Sequence, residues 1–164
     1  MSEQRAGDDV NSVRKAISVN APQHVAWRVF TEQIGAWWPL AHYKIGNVNA
    51  VDAVIEPRVG GRWYERGEDG STCNWGSVLA WEPPSRLLLS WDINADWQYD
   101  AALKTELEIR FIAQGKRVTR IELEHRNLDR YGARRDQMRE IFDKSGDWGR
   151  LLGLFAQLAE GVAT

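Results

Sequence analysis

Residues 105–125 read TELEIRFIAQGKRVTRIELEH, and their alternation decides the fold. Thr105, Leu107, Ile109 and Phe111 fall on one side of an extended chain, with Glu106, Glu108 and Arg110 on the other. Gln114-Gly115-Lys116 then supplies a turn. Beyond it Ile121 and Leu123 oppose Arg120, Glu122 and Glu124, and the same parity puts His125 on the apolar side. Two strands, Thr105–Ile112 and Val118–His125, therefore form an antiparallel hairpin with one dry and one wet face.

On the C-terminal side, Arg134–Lys144 has helix-forming composition. Trp148, Leu151, Leu152, Phe155, Leu158 and Ala159 then recur at helical spacing, which makes one apolar stripe. That stripe needs an apolar surface, and a sheet face is the large one on offer. On the N-terminal side the chain is mostly strand: Leu87–Ile93, Cys73–Glu82 ended by Pro83-Pro84, Arg62–Arg66 and Ala50–Glu56. Val59-Gly60-Gly61 and Gly67-Glu68-Asp69-Gly70 read as turns. Leu40–Val48 has lost any pattern and reads as an irregular loop. Before it, Ala36-Trp37-Trp38 is a short helix or turn, and Val25, Ala26, Val29 and Phe30 give the segment after Pro22 a helical apolar face. Val13–Val19 is the first strand. Strands in a run with helices at both ends make the class α+β.

Composition narrows the function. The 21 basic and 23 acidic residues leave a net charge of −2, so no basic excess points to nucleic acid. One cysteine, Cys73, cannot form an internal disulfide. The polar segment 1–11 has no apolar stretch of the secretory type and is expected to be a disordered arm before a single domain over 12–164. No apolar run reaches the roughly 18–20 residues that span a bilayer, so a cytoplasmic protein is expected.

Several stretches resemble one family. They are Ala21-Pro22 with Ala26-Trp27-Arg28-Val29-Phe30-Thr31, Trp37-Trp38-Pro39, and Glu56-Pro57-Arg58-Val59-Gly60-Gly61-Arg62-Trp63. Gly76, Trp81-Glu82-Pro83-Pro84-Ser85-Arg86-Leu87 with Ser90-Trp91, and Gly146-Asp147-Trp148 running into Leu151 and Leu152 complete the set. In this order they resemble the SRPBCC superfamily, which includes START lipid-transfer domains and the birch-pollen allergen. Within it they are similar to the homologues of the heat-shock-protein-90 ATPase activator. The resemblance implies a helix-grip fold: a curved antiparallel sheet of about six to seven strands around a long C-terminal helix, with two short helices after the first strand. It also implies a cavity between sheet and helix, an apolar ligand or a cyclase or dehydrase activity there, or a chaperone partner and a stress-response role. A homodimer is left open.

Nine tryptophans outnumber the four Phe and four Tyr together. A Trp buries about 150–250 Å² yet keeps an N–H that wants an acceptor. Trp38, Trp63, Trp75, Trp91 and Trp148 are therefore expected to wall the cavity around a small apolar, aromatic or lipid-like molecule. Parity groups Trp75 with Ser77, Leu79 and Trp81, then Leu87 with Leu89 and Trp91, and Trp63 with Glu65. His125, Glu65, Asp92 and Tyr99 are the expected rim groups, His125 as a ligand donor or an acid–base residue. For catalysis it would need Glu65 or Asp92 as a partner in the cavity. Gly149 and Gly153 share a helix face, which reads as room for a ligand or, more simply, as close backbone packing; Gly146 could cap the helix upstream. Arg126, Arg130, Arg134, Arg135 and Arg139, interleaved with Asp129, Asp136, Glu140 and Asp143, read as a solvated face, on a segment that could add a short helix over the cavity mouth. His24, His42 and His125 lack metal-ligand spacing, and no cofactor is expected.

Overall fold

A computed structural model describes residues 10–144 and 147–163. The rest of the N-terminal arm and Gly146 lie outside the described residues. Seven antiparallel strands form one curled sheet, a half-barrel, in the order β1-β7-β6-β5-β4-β3-β2. They are β1 (Ser12–Val19), β2 (Ala50–Ile55), β3 (Arg62–Gly67), β4 (Thr72–Glu82), β5 (Arg86–Trp91), β6 (Thr105–Ala113) and β7 (Thr119–Arg126). Helices α1 (Gln23–Glu32) and α2 (Ile34–Trp37) follow β1, while α3 (Arg135–Asp143) and the long α4 (Asp147–Ala163) follow β7. A 3-10 segment, Leu128–Arg134, leads into α3. Among the described residues no helix is long and apolar enough to cross a membrane.

The hairpin forms, with the expected residues on its apolar face. Leu107 faces His125, Ile109 faces Leu123 and Phe111 faces Ile121. All six are buried. β1 then pairs along the far side of β7, from Ser12 opposite Arg126 to Val19 opposite Thr119. The other face carries charge: Glu108 meets Arg86, Arg110 and Arg126. Burial alone would raise the Glu108 carboxyl, yet these arginines hold it below the ordinary range.

The core lies inside the curl. Leu151, Leu152, Phe155 and Ala159 of α4 are buried, as are Val25, Ala26, Val29 and Phe30 of α1. Phe30 meets both Phe111 and Phe155 edge-on, so one ring joins α1, the sheet and α4. Gly149 and Gly153 do not pack closely: a Cβ on either would meet nothing within 4 Å.

One strand departs from simple alternation. The β3–β4 pairing shifts between Trp63–Gly76 and Tyr64–Asn74, and the β4–β5 pairing shifts again between Val78–Leu89 and Ala80–Leu88. Trp75 and Val78 are consequently the buried pair, while Ser77 is only half-buried and Leu79 is exposed. The expected face shared by Trp75, Ser77 and Leu79 is thus not formed. Gly76 permits the first shift, because a Cβ there would sit 1.9 Å from the Ser90 carbonyl oxygen.

Candidate functional site

At one end of the half-barrel, sheet and α4 do not meet, and a cavity of about 490 Å³ opens between them. The sheet contributes Trp75 and Trp91, and α4 contributes Trp148 and Leu151. Trp38, just after α2, joins the same wall, with ring centroids 5.0 Å from Trp75 and 6.1 Å from Trp148. The Trp91 ring lies 5.4 Å from Trp148. The irregular loop 40–49 supplies His42, Tyr43, Lys44 and Ile45, and α3 supplies Ile141 and Phe142. The arginine-bearing segment therefore does place a helix against the cavity.

Three indoles of this wall donate hydrogen bonds to protein groups. Trp38 Nε1 donates to the Tyr43 carbonyl at 2.8 Å, and Trp75 Nε1 to Glu65 Oε1 at 2.9 Å. Trp148 Nε1 donates to His125 Nδ1 at 3.2 Å. An N–H so engaged is unavailable to a ligand, which leaves ring faces and edges as the contact surface. Trp63, wholly buried, lies one layer back: it packs 5.2 Å from Trp75 and donates to the Ser90 carbonyl. Trp91 Nε1 makes no hydrogen bond of ordinary geometry, and the Tyr131 hydroxyl is close to it.

His125 is not at a rim. It is 0 % exposed, covered by Phe142 at 4.4 Å and by Trp91 and Trp148. Its tautomer follows from its partners. Because Trp148 donates to Nδ1, that nitrogen is bare, and the proton of the neutral ring sits on Nε2. Nε2 then donates to Thr105 Oγ1 at 3.0 Å, whose own proton goes to the Trp91 carbonyl. Burial pushes the imidazole pKa down to about 3, so the ring stays neutral and serves to orient Trp148.

Glu65 and Asp92 also lie behind the wall. Glu65 is buried and accepts from the backbone N–H groups of Ile45 (2.7 Å) and Gly46 (2.9 Å) as well as from Trp75. It thus ties the lip loop to a wall indole. Asp92 is buried, accepts from Ser90 Oγ, and is raised by burial. Neither carboxylate faces the cavity with His125, so the expected acid–base pair is not assembled there. Among the described residues no three His, Cys, Asp or Glu side chains gather as metal ligands.

Tyr99 is exposed and outside the cavity; Trp97, two residues earlier, lines it instead. Trp97 has φ of 61°, a left-handed conformation that costs a bulky residue on the order of 1–3 kcal/mol. The surrounding loop imposes it. Asn94 Oδ1 accepts from the N–H groups of Asp96 and Gln98, both at 3.0 Å, and its carbonyl accepts from Trp97 N at 2.9 Å. Arg134 clamps the same loop through Asp96 Oδ1 at 2.7 Å and the Ala95 carbonyl at 3.2 Å. The ring it fixes at the mouth remains 42 % exposed. The Asn94-Ala95-Asp96 run is the turn signal that could have located it.

The family model described as Activator of Hsp90 ATPase homolog 1-like protein matches residues 20–160. No curated protein sequence matches the chain. Among solved structures, the anthrahydroquino-gamma-pyrone synthase Txn09 is 35 % identical over 90 % of this chain and 96 % of its own, with a TM-score of 0.64. CalC, a self-sacrificing resistance protein from Micromonospora echinospora, is 27 % identical over 94 % of this chain and 97 % of its own, with a TM-score of 0.70. PFC0360w, an HSP90 activator from Plasmodium falciparum, is 18 % identical over 71 % and 73 %, with a TM-score of 0.50, a likeness of fold alone.

Proposed function

This chain belongs to the Activator of Hsp90 ATPase homolog 1-like family, and from that premise we propose that it holds a small, flat, mostly apolar aromatic molecule in its cavity. One observation carries the reading. Trp38, Trp75 and Trp148 line an opening of about 490 Å³ with their N–H groups already bonded inside the protein. Such a wall is fixed before a ligand arrives, and it offers ring surface in place of hydrogen bonds. That suits stacking on an aromatic guest, and the volume lies within the roughly 300–1,000 Å³ of small-molecule sites. Trp97 at the mouth adds an exposed ring that would be covered when a guest enters.

Binding of the neutral probe N-phenyl-1-naphthylamine tests this. Its fluorescence should rise to saturation at one site per chain. Leu151→Trp, which fills the cavity from α4, should abolish the rise while cooperative unfolding is kept. No saturable binding, or equal binding by the filled variant, would defeat the reading.

Catalysis in the same cavity is the second reading, favoured by the 35 % identity to the synthase. His42 and Lys44 at the lip are then the groups able to move protons, because His125 and Glu65 are spent on structure. A chaperone partner rests on the family description, and the filled variant separates it, since a surface contact would survive that change.

A further inference from the structure

The described side chains that line the cavity carry charge of one sign. Lys44 is a cation in its lining, and no carboxylate among the described side chains lines it. Glu65, Asp92 and Asp96 are near it in the chain or the fold, and none of the three lines it. Glu65 lies behind the lip and accepts from Ile45, Gly46 and Trp75. Asp96 is paired with Arg134 at 2.7 Å.

Glu65 and Lys44 both act electrostatically on the Cys73 thiol, yet the Lys44 ammonium is not in an ion pair with that carboxylate. Its Nζ donates to the Gly46 carbonyl at 2.6 Å, which fixes the ammonium on the loop and leaves two of its three N–H donors uncommitted. Among the described residues no ion pair joins Lys44 to an acid. Arg150 stands at the same lip, with its guanidinium 5.5 Å over the Tyr43 ring. A half-buried cation beside an aromatic hollow, in no ion pair with a described acid, favours a guest that brings the opposite charge.

Resting on the cavity reading above, we infer that the occupant is an aromatic acid: a flat ring system whose single anionic oxygen group, a carboxylate or an ionised phenol, lies at the end facing Lys44. The rings stack between Trp38, Trp75 and Trp148, and the anion accepts from Lys44 Nζ at the lip. Lys44 is thereby a specificity-determining residue, while the indoles supply affinity that is indifferent to charge.

Two probes of the same shape test the inference: anthracene-2-carboxylate and its neutral carboxamide, each titrated by probe fluorescence against the wild type, Lys44→Met and Lys44→Arg. The wild type should bind the carboxylate roughly tenfold more tightly, and added salt should narrow that gap. Lys44→Met should bring the ratio to about one without changing the affinity for the carboxamide, and Lys44→Arg should keep the preference. Equal binding of both probes by the wild type, or a preference that survives in Lys44→Met, would overturn the inference and leave the cavity reading standing. Binding of neither probe would overturn both. An ionised naphthol compared with its methyl ether distinguishes a phenolate guest from a carboxylate one by which pair shows the larger Lys44-dependent gap.

Discussion

Acid should unfold this protein through His125, and the size of the effect follows from its burial. The ring has a pKa of about 3 in the fold, against the ordinary 6.5. Below pH 6.5 the unfolded chain takes up this proton and the folded protein does not. Stability from the neutral ring is therefore complete above pH 6.5 and is lost progressively as pH falls toward 3. The slope is about 1.4 kcal/mol per pH unit, so roughly 3 kcal/mol is gone at pH 4.5. That is a large share of the about 5–15 kcal/mol that holds a domain together. His125→Gln removes the titration while retaining an amide oxygen to accept from Trp148 and an amide N–H to donate to Thr105. Urea unfolding followed by Trp fluorescence at pH 7.5, 5.5 and 4.5 would measure both proteins. Carboxylates such as Glu108 contribute to acid sensitivity equally in each, so the difference between the curves isolates the imidazole. The variant should start less stable at pH 7.5 and lose about 3 kcal/mol less by pH 4.5. Parallel curves, or an NMR titration of His125 with a midpoint near 6.5, would refute the assigned tautomer and its hydrogen-bond chain.

Gly149→Ala and Gly153→Ala should each stabilise the protein by about 0.5–1 kcal/mol in thermal or urea unfolding, since each Cβ enters open space and helical Gly is costly. Glu65→Gln replaces an acceptor of three N–H groups by an amide that cannot serve them all. It should cost roughly 2–3 kcal/mol and raise hydrogen exchange at Ile45 and Gly46. Trp97→Gly should leave folding free energy within about 1 kcal/mol, because relief of the left-handed backbone offsets the lost ring contacts. The same change should weaken N-phenyl-1-naphthylamine binding several-fold.

The hairpin over 105–125 was legible because each residue's side is set by its own backbone geometry. The α4 stripe was legible for the same reason. Trp38, Trp75, Trp91 and Trp148 could be named as wall candidates from their large rings, and all four line the cavity. Trp63 carried the same signal yet ended one layer deeper, because the signal reports the face of a strand and not the depth behind it. The β4 shifts were invisible, since they depend on how Gly76 meets Ser90 on the neighbouring strand. His125 was read correctly as apolar-side and wrongly as rim. The cover that buries it comes from Phe142 and Trp148, on helices that follow it in the chain.

Sequence by itself determined the class, the order of elements, the faces of the strands and the gripping helix. Those are local properties, written by periods of about two and 3.6 residues and by turn-forming Gly and Pro. Only the tertiary structure decided which indoles spend their N–H groups on protein, that Lys44 and Trp97 reach the mouth, and that Glu65 joins the lip to the wall. A cavity is a shortfall of side-chain volume among segments far apart in the chain. No window of neighbouring residues contains that sum, so it exists only once the sheet has curled and the helices have closed over it.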